Sequence, residues 1–364
     1  MRPYTRYLRL ALLLLAIVCY SPSWAAHQDA PEEPVYIRVV DVGAGLCTIT
    51  RIPGNHFMIY DAGTYEDGGA TCAEAIRELI TDRAPIDLLV ISHTDGDHVA
   101  AVPAIAREHP IRTALRPGIE RETKVWKQAE AALRVEALTQ GMQDVPLTDT
   151  EIPPGTEYKL GSAKATVLIG YGTPPTTWGL VDESERHNAG SIVVRLTYKD
   201  KSVLFTGDTV GRHIGDESNA CRAAEARMVA RADKFPLKSD VLIAPHHGSD
   251  GASSNCFLAA VAPSYVVFSA GHKFQHPRAT VAERYLAHGV KLDHIFRTDL
   301  GDDEGGAEWS YGQVPGSAHR RGTNDVEILL RADGSVQVKY RSAPTNSHRE
   351  QGISALDNFG ALTN

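Results

Sequence analysis

Short apolar runs that stop at a polar or glycine-rich turn recur along this chain, and they constrain its fold more than any other feature. VYIRVVDVGAG from Val35, HFMIYDAG, IDLLVISHTDGDH, ATVLIGYG, SIVVRLTY, SVLFTGD, DVLIAPHHGS and SYVVFSAG each read as a strand of about four to seven residues. Helical patterns lie between several of them, at Cys72 to Asp82, Val99 to Glu108, Arg121 to Gln140 and Ala279 to His288. That mixture predicts an α/β protein. With 364 residues, 43% of them apolar, the chain has material for one main domain with extensions.

Residues capable of chemistry fall at the same relative place in this pattern. Asp61, His93, Asp208 and His246 each sit just past the end of an apolar run. Side chains repeatedly delivered by strand ends predict one active face. The densest group is His93-Thr94-Asp95-Gly96-Asp97-His98, two imidazoles and two carboxylates in six positions, between a buried strand and a helix beginning near Val99. Without a cation the carboxylates would repel one another, whereas divalent ions turn the same crowding into coordination. Gly96 lets the loop fold tightly enough for both its sides to face ions.

HTDGDH resembles the HxHxDH signature of the metallo-β-lactamase superfamily, in the HxDxDH variant typical of ComEC-type domains. Further similarities follow in order: Asp41-Val42-Gly43-Ala44-Gly45 to DVGQG, Ile59-Tyr60-Asp61-Ala62-Gly63 to IDAG, and Asn188-Ala189-Gly190-Ser191 to NxxS. Phe205-Thr206-Gly207-Asp208 is similar to FTGD, and Ala244-Pro245-His246-His247-Gly248-Ser249 to VPHHGS. The resemblance runs from about Val35 to Asp299 and implies a four-layer αβ/βα sandwich over residues 35–300.

By the same resemblance, two divalent ions are expected. His93 and Asp95 would serve site one, Asp97 and His98 site two, with Asp208 bridging both. A later histidine completes site two, His246 or His247, with His246 preferred and His247 left to a catalytic role beside Asp97. The third ligand of site one is less plain, and His187 is the candidate. Leu46 departs from the family pattern, standing where an acidic residue is common. His276, in the loop His272 to Pro277, either protonates the leaving oxygen or is a loop histidine held by backbone contacts. Asp61 and Asp41 read as groups that orient ligand histidines or stitch loops together. Two ions can lower the pKa of a water from 15.7 to about 7, so no Ser or Cys nucleophile is required. Asp95 in place of histidine makes site one richer in oxygen, which leaves Mn²⁺ open beside Zn²⁺.

The N-terminus places Arg2, Arg6 and Arg9 before the apolar run Leu10 to Val18 and small residues at Ser23 and Ala25. It reads as a secretory signal peptide over residues 1–25. Its removal would take the formal charge from −8 to −11 and leave no membrane insertion. A periplasmic or secreted location follows, in which Cys47, Cys72, Cys221 and Cys256 can pair. Three pairings are open, with Cys47–Cys72 and Cys221–Cys256 favoured. After His294 the chain offers a β extension over 301–342, including a hairpin at Ala332-Asp333-Gly334, and a loose tail over 343–364.

The function expected is hydrolysis of phosphodiesters, DNA among them, as the resemblance implies. An acidic chain repels nucleic acid at long range, so attraction has to be local. The alternatives are hydrolysis of a lactone, a β-lactam or a phosphocholine-type envelope ester, and an exported binding module without turnover. The substrate pocket is expected from the loop after Gly63, from Arg121 to Gln140 and from His272 to Pro277.

Overall fold

The computed structural model describes residues 32–118, 121–147, 151–317 and 324–341; the expected signal segment and tail lie outside them. Two mixed sheets carry the architecture. The first contains β1 (Val35–Val39), β2 (Cys47–Ile52), β3 (His56–Ala62), β4 (Leu88–Val90), β5 (Thr113–Pro117) and β6 (Gln143–Leu147). The second contains β7 (Glu157–Leu160), β8 (Ala163–Ile169), β9 (Val193–Tyr198), β10 (Lys201–Phe205), β11 (Val241–Ile243), β12 (Tyr265–Phe268) and β13 (Ile295–Arg297). The hairpin β14 (Val326–Leu330) and β15 (Val336–Tyr340) pairs antiparallel with β1 and so widens the first sheet to eight strands.

Alternation along the strands decides the layers, because successive side chains leave opposite faces of a sheet. Met58 and Tyr60 of β3 face a core shared with Val203 and Phe205 of β10, sealed where the Tyr60 and Phe205 rings stack at 5.1 Å. Phe57 and Ile59 face the other way, onto α1 (Ala70–Leu79), α2 (Gly96–Val99), α3 (Val102–Glu108) and α4 (Lys124–Gln140). Leu204 of β10 likewise turns away from the shared core. It meets a third core that includes residues of α6 (Ala223–Val229), α7 (Asn255–Val261) and α8 (Ala279–Ala287). A short α5 (Glu183–Ala189) precedes β9. Helices therefore cover the outer face of each sheet, the four-layer αβ/βα sandwich expected. Both faces of most strands are buried, which is why they read as nearly continuous apolar runs.

Local signals explain where the expected elements shift. Thr123 caps α4 by accepting from the Trp126 amide, and Gly141 ends it at φ 73°. Trp126, Ala129 and Leu133 form its buried stripe. The single helix expected from Val99 is two, α2 and α3, and α2 begins within the HTDGDH segment, with Asp97 and His98 on it. No helix among the described residues is long and apolar enough to cross a membrane.

The site is positioned by strand direction. β3 to β6 run parallel, as do β10 to β13. The carboxyl ends of β3, β4, β10, β11 and β12 therefore open toward one edge of the sandwich, as the sequence pattern anticipates. Disulfides Cys47–Cys72 and Cys221–Cys256, with Cα atoms 5.9 and 6.0 Å apart, fasten β2 to α1 and the segment before α6 to α7. Replacing both Cys47 and Cys72 by serine removes a closure of 25 residues and is expected to lower the unfolding free energy by about 3 kcal/mol. Urea denaturation without reductant measures it; an unchanged midpoint would show that this bridge adds nothing.

Candidate metal centre

Asp208, just past the end of β10, stands among four imidazoles. Its Oδ2 lies 3.7 Å from His93 Nε2 and 3.7 Å from His246 Nε2, while its Oδ1 lies 3.3 Å from His98 Nε2 and 3.5 Å from His247 Nε2. Asp97 adds a second carboxylate on one side only, with Oδ2 3.6 Å from His247 Nε2 and 3.8 Å from His98 Nε2. Two trios follow, His93, His98 and Asp208 on one hand and Asp97, His98 and His247 on the other, each with donor atoms within 4.8 Å of one another.

Hydrogen bonds on the far side of the rings hold this arrangement. His98 Nδ1 lies 2.8 Å from Asp61 Oδ2, and Asp61 also accepts from the Ser92 amide and hydroxyl. His247 Nδ1 donates to the Ser269 carbonyl at 2.7 Å. With the proton at Nδ1, the Nε2 lone pair of each ring points at the carboxylates. Asp61 thus orients His98. Asp41, by contrast, accepts from the Asn324 amide and through its own amide donates to Asp325, joining the end of β1 to the strand β14.

Charge balance tests whether cations belong here. His93 Nε2, Asp97 Oδ1 and Asp208 Oδ1 are buried with no hydrogen-bond partner, and each orphaned group costs about 1–3 kcal/mol. Burial alone would raise Asp208, but His247, His98, His246 and His93 hold it well below the usual carboxylate range. Burial alone would lower His98, yet Asp208, Asp61 and Asp97 push it well above the usual imidazole value. The pocket demands positive charge, and imidazole nitrogens with carboxylate oxygens are a donor set for borderline divalent metals. The residues fit such ions.

The structure places the other expected residues less uniformly. The imidazole beside Asp97 and His98 is His247, not the preferred His246, which lies across Asp208 near His93. The reason is local: both residues have left-handed backbone, at φ 50° and 54°, and this splays consecutive side chains to opposite sides of one carboxylate. His187 stays apart from both trios, its Nε2 3.6 Å from Glu183 of its own helix. Its neighbour Asn188 instead reaches His246, Nδ2 to Nε2 3.4 Å. Asp95 keeps Oδ2 3.9 Å from His93 Nε2 but turns Oδ1 into an ion pair with Arg121. His276 is buried, with its ring 6.0 Å from that of His246 and 6.5 Å from that of His247. Its Nδ1 has no hydrogen-bond partner.

Sequence reasoning missed Arg121 as a site residue, since it reads only as the start of a helix. It also missed Tyr65, whose phenol is pushed up by burial and by nearby Asp97. No pattern within a loop announces such approaches.

The profile described as the Metallo-beta-lactamase superfamily matches residues 40–272, a span that contains every one of these donors. The chain belongs to that superfamily. Its members are metal-dependent hydrolases. Within it, the chain is 27% identical over 295 residues to "Competence protein ComA" of Neisseria gonorrhoeae, covering 79% of this chain and 34% of that one. It is 23% identical over 218 residues to "ComE operon protein 3" of Bacillus subtilis, covering 59% and 24%. To "Recombination protein 2" of Haemophilus influenzae it is 22% identical over 251 residues, covering 68% and 26%. The chain therefore spans about a third or less of the length of the curated relatives it matches. The ComEC-type resemblance of its motifs agrees with these relatives.

Replacing Asp61 by asparagine would leave the fold's cores untouched and remove the carboxylate that fixes the His98 tautomer. Metal affinity is expected to fall by about 10–100-fold in a competition titration against a chromophoric chelator. Unchanged affinity would refute the orienting role.

Proposed function

We propose that this superfamily member is an exported phosphodiesterase that works with two divalent ions, Zn²⁺ or Mn²⁺. One observation carries the reading: the two oxygens of Asp208 face two different histidine pairs. A carboxylate shared in this way suits paired ions. His93, Asp95, His246 and Asp208 would hold one, and Asp97, His98, His247 and Asp208 the other. When bound, such a pair acidifies water and neutralises the oxygens on both sides of an in-line displacement.

The protein's own groups divide the remaining work. Asp97, with Oδ1 buried and unpartnered, is the carboxylate placed to orient a water and take its proton. Arg121, held by Asp95 and by Thr94 Oγ1 at 3.2 Å, offers a planar fork to a phosphate oxygen at the rim. His276, its ring 6.0 Å from that of His246, is kept neutral by burial and by His246 and His247, so it suits a hydrogen bond to the leaving oxygen rather than a stored proton. The wall of buried side chains around Asp208 excludes bulk water and so strengthens each of these electrostatic contacts. Relatives named for competence and recombination support DNA as the phosphodiester. Two disulfides support export, because such bridges persist in oxidising compartments.

Metal analysis by mass spectrometry is expected to find two divalent ions per chain. The loaded protein is expected to cleave single-stranded DNA and bis-p-nitrophenyl phosphate, with at least about a hundredfold loss in Asp97→Ala. Chelation should abolish both activities and added Mn²⁺ or Zn²⁺ restore them. Loaded protein that hydrolyses nitrocefin or a lactone while leaving both phosphodiesters intact would overturn the reading.

A further inference from the structure

Seven large hydrophobic side chains lie exposed among the described residues, and the two aromatic ones are Tyr65, 41% exposed, and Phe274, 43% exposed. They come from segments more than 200 residues apart in sequence, yet their rings meet edge to face with centroids 5.9 Å apart. Each also abuts the metal centre. A Cβ on Gly96, between Asp95 and Asp97, would sit 3.6 Å from Tyr65 Cε1. The Phe274 ring lies 6.0 Å from that of His276, which in turn lies 6.0 Å from His246. Lys273 completes the group, with Nζ 3.6 Å from the Tyr65 centroid and 4.9 Å from that of Phe274. Core packing does not account for two rings left more than a third exposed beside a polar site, and exposed apolar groups so placed mark a binding surface.

We infer that Tyr65 and Phe274 form a stacking platform for an unpaired nucleobase of a single-stranded nucleic acid, with Lys273 facing the adjoining phosphate. The inference rests on the phosphodiesterase reading and names its substrate class. Partly exposed rings beside a flexible lysine, whose Nζ lies over the Tyr65 ring and is free to swing toward a phosphate, stack any base whose own face is free, and the bases inside a duplex have none to offer. Position matters as much as composition. A base held here sits beside Asp97 and His276, so its flanking phosphodiester is delivered to the Asp208 cluster. The platform also supplies attraction that the acidic chain lacks at long range.

The experiment compares cleavage by the metal-loaded protein of an oligothymidylate and of an equally long oligomer built on abasic sugars. The wild type is expected to prefer the oligothymidylate in kcat/KM. Tyr65→Ala and Phe274→Ala are each expected to shrink that preference by about fivefold to a hundredfold, through KM rather than kcat, while Tyr65→Phe retains it. A preference untouched by both alanine variants would overturn the platform, as would a Tyr65→Phe variant that falls as far as Tyr65→Ala. Equal cleavage of both oligomers by the wild type would overturn it too, with the phosphodiesterase reading intact. A wild type that cleaves neither would overturn that reading and the platform with it. Both side chains are surface-exposed, and thermal melting of each variant separates a folding defect from lost stacking.

Discussion

Everything near the active edge depends on how three buried carboxylates, Asp61, Asp97 and Asp208, are neutralised by imidazoles. None is more than about 5% exposed, so each ionised form is stable only where a proton or a cation sits within a few ångströms. The donors come from both halves of the sandwich. Asp61 lies near the end of β3, and His93, Asp97 and His98 follow β4 of the first sheet, while Asp208, His246 and His247 follow strands of the second. The site is therefore at the seam between the sheets, at one end of the apolar core they share. An ion held by Asp208 would join side chains from both sheets, and metal binding would then be coupled to local stability.

Backbone contact makes the seam tight enough for this to work. Gly63 and Gly271 are the two positions where it is clearest. A Cβ on Gly63 would lie 2.3 Å from the Asp97 carbonyl carbon, and one on Gly271 would lie 2.3 Å from that of Gly43. The loops after β1, β3 and β12 and the start of α2 thus stack main chain on main chain. The Leu46 amide donates to the Asp97 carbonyl at 3.0 Å, and the Gly63 amide to that of Leu46 at 3.0 Å. Leu46 contributes its backbone here while its side chain is buried. An apolar residue at that position therefore leaves the loop geometry intact, whatever an acidic residue does in similar chains.

Much of this was legible in the sequence, for physical reasons that differ by residue. The strands were legible because both their faces are buried, so their apolar runs are unbroken; β2, β5, β6 and β7 were not, since Thr48 and Thr50, Arg116, Asp144 and Lys159 interrupt them. His93, Asp97, His98 and Asp208 were legible because metal-ligand density and strand-end position both single them out. The choice between His246 and His247 was not, because it turns on two left-handed residues in succession, a conformation that no side-chain pattern announces. Asp95 was read from its spacing, but its ion pair with Arg121 spans a gap in sequence that periodicity cannot bridge. The three segments expected to shape a pocket come near the His/Asp cluster through Tyr65, Arg121 and Phe274. The individual side chains could not be chosen in advance, because exposure of a ring depends on the tertiary path of its loop.

The chain's charge and its site impose opposite demands, and distance resolves them. A formal charge of −8 disfavours a polyanion approaching from afar, but at physiological ionic strength such fields fade over about 8 Å. Inside that range the surroundings are different: Arg121 is held by Asp95 and Thr94, Lys273 stands over two rings, and the His/Asp cluster lies just behind them. A substrate is then selected by what it presents within a few ångströms of the rim, not by its total charge. For the proposed substrate, one phosphate and one free base face would make that contact, whereas a long rigid duplex would bring many more phosphates against the acidic surface beyond it. On the phosphodiesterase reading proposed above, local cations on an acidic body would favour short or flexible strands over duplex, through electrostatics before any stacking is counted.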